Sequence, residues 1–254
     1  MTSTMLDLVV LVPSRHEASN VTAVAERVEA TLGVTGITWQ LVFVDDSDDE
    51  TVAVLAGLAA VSSDVRVLHR PAAARVGGLA GAIMAGLHAV DSRWVAVMDA
   101  DLQHPPELLL DLLEPLRAGT AQVTVGSRFL EHAGGREGRF RPAVSSVARR
   151  MVRASLPRAR AVTDPLGGFF AFERSVVDGV GFSCDGARFL LELLVRGRQT
   201  LVAEIPYTLA TRAGGRSKAG PEEGLRLLRQ VAQLRLASVP PPAPVPARAA
   251  VAVR

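Results

Sequence analysis

Residues 95–107 read VAVMDADLQHPPE. Four apolar residues run straight into two aspartates one residue apart, followed by a glutamine, a histidine and two prolines. The apolar run predicts a buried strand over 94–98. The prolines suit the first turn of a helix over 105–117, where a missing N–H costs nothing. A buried strand whose tip carries paired carboxylates points to the ligand-binding edge of an α/β sheet, where the loops after parallel strands open together.

The rest of the chain repeats that arrangement. Short Val/Leu-rich runs at 6–12, 40–44, 65–68 and 122–125 read as further strands, continuously apolar as strands buried on both faces should be. Between them, helical periodicity covers 20–32, 51–61 and 77–90. Strand and helix in alternation imply a mixed, mainly parallel sheet with helices on both faces, a Rossmann-like α/β fold. After residue 127 the pattern changes. Residues 128–160 hold nine Arg against Glu131 and Glu137 and include a basic helix candidate over 143–156. A strand at 169–173, a helix at 187–196, a strand at 201–205, a polar Gly-rich loop and a helix at 221–237 follow. The expected organisation is one domain over 1–237, with the strand–helix alternation of its first half, 6–127, giving way to a more basic second half at 128–237. The Pro- and Ala-rich residues 238–254 read as a disordered tail.

Composition narrows the function. Hydrophobic residues make up 48% of the 254 positions but aromatics only 4%, so the core must be aliphatic. A formal charge of +2 gives no support to a nucleic-acid partner. A single cysteine excludes an internal disulfide and fits a reducing cytoplasm. The first residues read as a strand rather than a leader, and no apolar stretch approaches the roughly 20 residues of a membrane span. Of the 28 basic side chains only Lys218 is a lysine.

The polar clusters fall where the sheet-edge loops belong: PSRHE at 13–17, DDSDDE at 45–50 and DADLQ at 99–103. Glu17, Asp46, Asp99 and Asp101 should therefore converge. Unpaired carboxylates in one crevice repel, so a positive partner is expected, and a hard divalent cation with oxygen ligands fits. Asp99 and Asp101 would flank it and Gln103 would add a neutral oxygen. Asp45, Asp46 and Asp99 also stand where helix N-caps would, and any one of them alone fits that bland role.

At these residues the sequence resembles the family 2 glycosyltransferases of GT-A fold, specifically the dolichol/polyprenol-phosphate mannose synthases. DADLQHPP is the family motif unchanged, and GSRF (126–129) is similar to its G-S-R-Y. DPLGGFFAFERSVV (164–177) and EIPYTLATRAGGRSKAG (204–220) are similar to two further blocks, with Gly167 where Ser or Thr is usual. The opening motif, usually P-T-Y-N-E, reads PSRHE, and DDSDDET is one residue shorter than its counterpart.

The resemblance implies roles. Asp99, Asp101 and Gln103 would hold Mg²⁺ or Mn²⁺ on a donor diphosphate. Pro13, Arg15, Glu17, Val44 and Asp46 would line the nucleoside pocket, with Ala100 as a backbone contact. Arg128, Arg212 and Lys218 would grip phosphates, in a lid that closes over the donor or, on the plainer reading, a solvated loop. With Asp99 and Asp101, Arg128 would carry the catalysis. Arg128, Arg141 and Ser145 would hold the phosphate of a polyprenyl phosphate acceptor, which arrives ionised because its second pKa is about 6 and so needs no protein base. Glu192 would be structural or positioning. The five histidines, His16, His69, His88, His104 and His132, read as surface or packing residues. Missing Q-x-x-R-W argues for a single transfer.

The implied reaction is inverting transfer of mannose from GDP-mannose to a polyprenyl phosphate at the cytoplasmic face of a membrane. Basic, apolar helices at 143–156 and 221–237 would make peripheral contact there, beside a separate membrane-anchoring subunit; ordinary amphipathic packing is the other reading of both. Three alternatives stand: another nucleotide sugar such as UDP-glucose or a soluble acceptor, a nucleotide-sugar-binding module without turnover, and a dehydrogenase. The last is weak, because PSRHE and not G-x-G-x-x-G follows the first strand.

Overall fold

The computed structural model describes residues 5–130, 141–183, 188–210 and 221–236. All seven expected strands form, and they make one sheet. They are β1 (Leu6–Ser14), β2 (Trp39–Asp45), β3 (Val65–His69), β4 (Ser92–Val97), β5 (Val123–Ser127), β6 (Phe170–Glu173) and β7 (Val202–Pro206), in the order β3-β2-β1-β4-β6-β5-β7. Every pairing is parallel except those of β6, which runs antiparallel to both β4 and β5. The sheet therefore spans the expected division at 127/128, because β6 inserts between β4 and β5. The start of β6 lies beside the ends of its neighbours, with Phe170 opposite Val97 and Val125.

Strand alternation sorts the core into two layers. Leu8, Val10 and Val12 of β1 face one side with Leu41 and Phe43; Val9 and Leu11 face the other with Val42 and Val44. The first layer is closed by α1 (Val21–Leu32) and α4 (Leu109–Arg117). α1 buries Val21, Val24, Ala25, Val28 and Leu32, the spacing of one helix face. The second layer is closed by α3 (Gly78–Ala89) and α6 (Phe189–Arg196). α3 comes close to the sheet because Gly86 has no side chain; a Cβ there would lie 2.9 Å from Leu11 and 3.0 Å from Val44.

α2 (Thr51–Val61) lies beside α1, and of its residues only Thr51 and Leu55 are buried. α5 (Arg141–Ser155) and α7 (Pro221–Leu236) enclose a third, small core with α6, built on Val152, Leu156, Leu191, Leu227, Val231 and Leu234. Val231 thus points inward, whereas Leu225, Leu228 and Leu236 of α7 and Val147 of α5 are exposed. Both helices pack by one face and keep a second, mixed apolar and basic face in the open. Among the described residues no helix is long and apolar enough to cross a membrane.

Candidate active site

The site lies along the sheet edge where β1, β2, β4 and β5 end and β6 begins. At its first end Pro13 pairs with Val44 across β1 and β2, and Arg15, Glu17, Asp45 and Asp46 follow directly. The edge does gather the expected acidic residues, but most already have partners. Asp45 is fully buried; its Oδ1 accepts from the hydroxyls of Ser14 (3.0 Å) and Ser47 (2.6 Å), and its Oδ2 lies 3.0 Å from His69 Nδ1. Asp46 receives a two-pronged guanidinium, Arg70 Nε and Nη2, at 2.7 and 2.5 Å. Glu17 accepts from Asn20 Nδ2 at 2.8 Å. Asp48 meets His16 Nε2 at 2.6 Å, and that bond, together with the nearby charges of His16, Arg75 and Arg15, lowers its pKa.

The positive partner expected for the clustered carboxylates is, at Asp46, a guanidinium rather than a shared divalent cation: Arg70 supplies the charge. Arg70 also donates to the carbonyls of Ala74, Val76 and Gly78, fixing the loop that feeds α3. The signal was present in the sequence, a basic residue directly after the third strand and so on the same edge. The capping alternative fails for Asp45 and Asp46, whose carboxylates bond elsewhere; Asp49 Oδ1 takes the Thr51 N–H at the start of α2.

At the second end, β4 runs out into Asp99, Ala100 and Asp101. Asp101 is buried and its Oδ1 accepts the backbone N–H of Gln103 at 3.1 Å. The tight turn between them places Leu102 at φ 59°. The Asp99 side chain is 43% exposed. It is braced from behind by His104, whose Nδ1 accepts the Asp99 N–H at 3.1 Å and whose Nε2 lies 3.8 Å from Asp99 Oδ2. His104 stacks on Phe169 at 5.3 Å and meets the edge of Tyr207 at 5.9 Å. Burial pushes its pKa down against the pull of Asp99 and Asp101, so the ring stays neutral. His104 is a packing residue that orients a carboxylate.

Gly168 completes this end. A Cβ there would stand 2.8 Å from Asp99 Oδ2 and 3.1 Å from Oδ1, so the absent side chain is the space the carboxylate occupies. Gln103 donates through Nε2 to the carbonyl of Ala210 at 3.3 Å, and Ala210 N–H donates back to the Gln103 carbonyl at 3.0 Å. Among the described residues no third His, Cys, Asp or Glu joins Asp99 and Asp101 as a metal group. The carboxylates of Asp99 and Asp101, two residues apart in sequence, and the amide oxygen of Gln103 could supply hard donors, short of a complete set. That set suits a divalent cation which shares its coordination with substrate phosphates.

The third part is cationic. Arg128, just past β5, is clamped by Asp164 through Nε (2.7 Å) and Nη2 (3.1 Å). Asp164 belongs to the turn that leads into β6. Glu204 of β7 holds that turn: its Oε1 accepts from Thr163 N (2.8 Å), Thr163 Oγ1 (2.7 Å) and Asp164 N (3.3 Å). Burial raises the Glu204 pKa, with these bonds opposing it. Burial also pushes the Tyr207 phenol up. Arg141 and Ser145 sit on the first turns of α5. Arg212 and Lys218 lie outside the described residues. Glu192 is structural, as expected: it is buried and accepts from Ser183 N and Oγ.

A mixed sheet with one reversed strand, and a D-x-D pair at the tip of β4, is GT-A-like architecture. The chain belongs to glycosyl transferase family 2, whose model matches residues 9–181. Within it, the chain is 32% identical over 228 residues to a dolichol-phosphate mannosyltransferase of Pyrococcus furiosus, covering 89% of this chain and 62% of that protein. It is 30% identical to the dolichol-phosphate mannosyltransferase of Saccharomyces cerevisiae, covering 89% of this chain and 85% of that one.

Among solved structures, glucosyl-3-phosphoglycerate synthase of Mycobacterium tuberculosis, in complex with Mn²⁺, UDP and its product, superposes with a TM-score of 0.64 at 22% identity. It covers 90% of this chain and 78% of that one. Mannosyl-3-phosphoglycerate synthase of Rubrobacter xylanophilus gives 0.63 at 19% identity, covering 92% and 77%. At those identities the likeness is one of fold.

Proposed function

We propose that the chain is an inverting glycosyltransferase that moves mannose from GDP-mannose to a polyprenyl phosphate at the cytoplasmic face of a membrane. The observation that carries the proposal is the pairing of a half-exposed Asp99 with a buried Asp101 at the tip of β4, linked through the turn before β6 to the Asp164-clamped Arg128. Similarity to the dolichol-phosphate mannosyltransferases supports a mannosyl transfer to a polyprenyl phosphate, with which GDP-mannose as donor is consistent.

Asp99, Asp101 and Gln103 would hold Mg²⁺ or Mn²⁺, which when bound neutralises charge gathering on the leaving diphosphate. The chain's own groups do the rest. His104 and the space left by Gly168 set the Asp99 carboxylate. Pro13, Val44, Ala100 and the outer edge of Asp46 line the nucleoside end, with Arg15 and Glu17 at its mouth. Arg128 adds positive charge where the diphosphate departs. Arg212 and Lys218 would close over it; their segment leaves from Ala210, which is tied to Gln103. The acceptor phosphate attacks C1 of the sugar from the face opposite the diphosphate: its oxygen forms the new bond while the C1–O bond to the diphosphate breaks. It needs cations to seat it, and Arg128, Arg141 and Ser145 would do so.

The open faces of α5 and α7, with Val147, Leu225, Leu228 and Leu236 exposed among arginines, suit a peripheral seat on anionic lipid. A separate anchoring subunit is compatible with that seat. A second reading keeps the reaction and changes the donor, to UDP-glucose for example. It is favoured by the nucleoside end, where His16 is locked to Asp48 and Arg15 replaces an aromatic residue.

The test is purified protein with labelled GDP-mannose or UDP-glucose, Mn²⁺ or EDTA, and a short polyprenyl phosphate. The expected outcome is a lipid-soluble mannosylated product abolished by EDTA. Equal yield in EDTA, or a water-soluble product, overturns the proposal; turnover of UDP-glucose alone moves it to the second reading.

A further inference from the structure

The turn that clamps Arg128 also holds a second guanidinium. Arg149 of α5 donates through Nη1 to the carbonyl of Thr163 at 3.1 Å, one residue before Asp164. Its Cζ lies over the Phe129 ring at 4.2 Å, and Arg128 Cζ lies over the same ring at 5.4 Å. One aromatic ring and one turn thus bring two guanidinium groups together.

Their charge balance differs. Arg128 faces a buried carboxylate across a two-pronged bridge. Arg149 makes no ion pair among the described residues, and its Nε is buried with no hydrogen-bond acceptor. Desolvation and the neighbouring Arg153 and Arg150 lower its pKa, against the opposing pull of Asp164 and Glu204, neither of which pairs with it directly. A partly desolvated guanidinium with a buried N–H lacking an acceptor is costly unless a ligand supplies one.

The other α5 arginines are placed differently. Arg150 is exposed, and Arg153 donates to the Arg160 carbonyl. Arg149 instead continues a row: Arg141, Ser145 and Arg149 stand at four-residue intervals and so share one stripe of the helix.

We propose that Arg149 is a binding residue for the acceptor, seating with Arg128 a phosphate monoester dianion at the end of the α5 stripe nearest the reacting centre. Two negative charges need two cations. Arg128 is already bridged by Asp164, and Arg149, anchored on the same turn, adds the second cation. The inference rests on the reading that the acceptor carries a phosphate.

The test uses the full chain carrying Arg149→Gln or Arg149→Lys, with Mn²⁺, GDP-mannose and a short, water-dispersed prenyl phosphate in the absence of vesicles. Expected for the Gln variant is a rise in acceptor KM of about 10- to 100-fold, the scale of a lost charge-assisted hydrogen bond. The donor KM should stay within about twofold. The Lys variant, which keeps the charge without the fork, should fall between. Thermal unfolding checks that Phe129 and the turn remain packed; should the Gln variant unfold, the Lys variant alone carries the comparison.

An unchanged acceptor KM, or a shift in donor KM instead, overturns the inference. So does a loss seen only on anionic vesicles, which would assign Arg149 to lipid headgroups. If the native protein forms no lipid product, the proposed function fails independently. Calorimetric titration of the same prenyl phosphate into native and Gln proteins then decides this inference, and equal affinities refute it.

Discussion

The molecule contains two Asp–Arg pairs of the same two-pronged geometry, and they do opposite things. In Asp46–Arg70 the guanidinium is the enclosed partner, 7% exposed against 12% for the carboxylate, with three backbone carbonyls on its remaining N–H groups. In Asp164–Arg128 the carboxylate is sealed at 1% and the guanidinium is 26% exposed. On the proposed function the first pair would present the edge of a carboxylate to the nucleoside end, and the second the edge of a guanidinium to the phosphate end. Which partner is buried, not which residues are present, sets what each pair offers a ligand.

Breaking the first pair should have the largest effect. Arg70→Met leaves Asp46 buried without its charge partner and unties the loop into α3. The expected loss is about 3 kcal/mol, as for removal of one half of a buried ion pair. In a chain of this size that corresponds to a fall in the unfolding midpoint of roughly 6–12 °C. A variant as stable as the native protein would show that the pair is not buried as described.

Breaking the second should spare the fold and damage the chemistry. Asp164→Asn leaves Arg128 partly hydrated, so stability should fall by no more than about 1–2 kcal/mol. The guanidinium loses its fixed position, however, and kcat/KM should drop about 100-fold. The reverse result, an unstable protein with normal turnover per folded molecule, would merge the two pairs into one structural class.

The smallest effect sharpens the second pair by way of its support. Glu204 has a folded pKa raised by burial above its ordinary value of 4.5. The folded state therefore keeps the proton to higher pH than the unfolded state. The stability contributed by protonated Glu204 is complete below about pH 4.5 and is lost as pH rises through the folded value. Glu204→Gln keeps an acceptor oxygen for Thr163 and Asp164 without a charge. It should equal or exceed the native stability at neutral pH, by up to about 1 kcal/mol. The difference should shrink toward pH 4.5 in urea unfolding; a gap that does not change with pH would remove the buried charge from the account.

The sequence made the strands legible because continuous Val/Leu runs have few other places to go in a chain of this kind. It made Asp99 and Asp101 legible because the tip of a buried strand is a conspicuous place for acid. The reversed direction of β6 was not legible, since the alternation in FAFE reads the same for a parallel or an antiparallel strand. Nor were Arg70, Asp164 and Arg149 as partners. Arg70 is 24 residues from Asp46, Asp164 is 36 from Arg128 and Arg149 is 14 from Thr163, and only the folded sheet edge brings them together. The clustered acids suggested one shared counter-ion, whereas the fold gives Asp46 a guanidinium of its own and leaves Asp99 half-open.

Because successive residues of an extended chain face opposite ways, the two aromatic residues at the entry to β6 are committed to opposite layers: Phe169, just before the strand, packs in the core with α1 and α4, and Phe170 in the core with α3 and α6. Inserting or deleting one residue at this point would exchange their faces and shift the preceding turn by about 3.3 Å. Length, more than side-chain identity, is the property that this stretch of the protein has least freedom to vary.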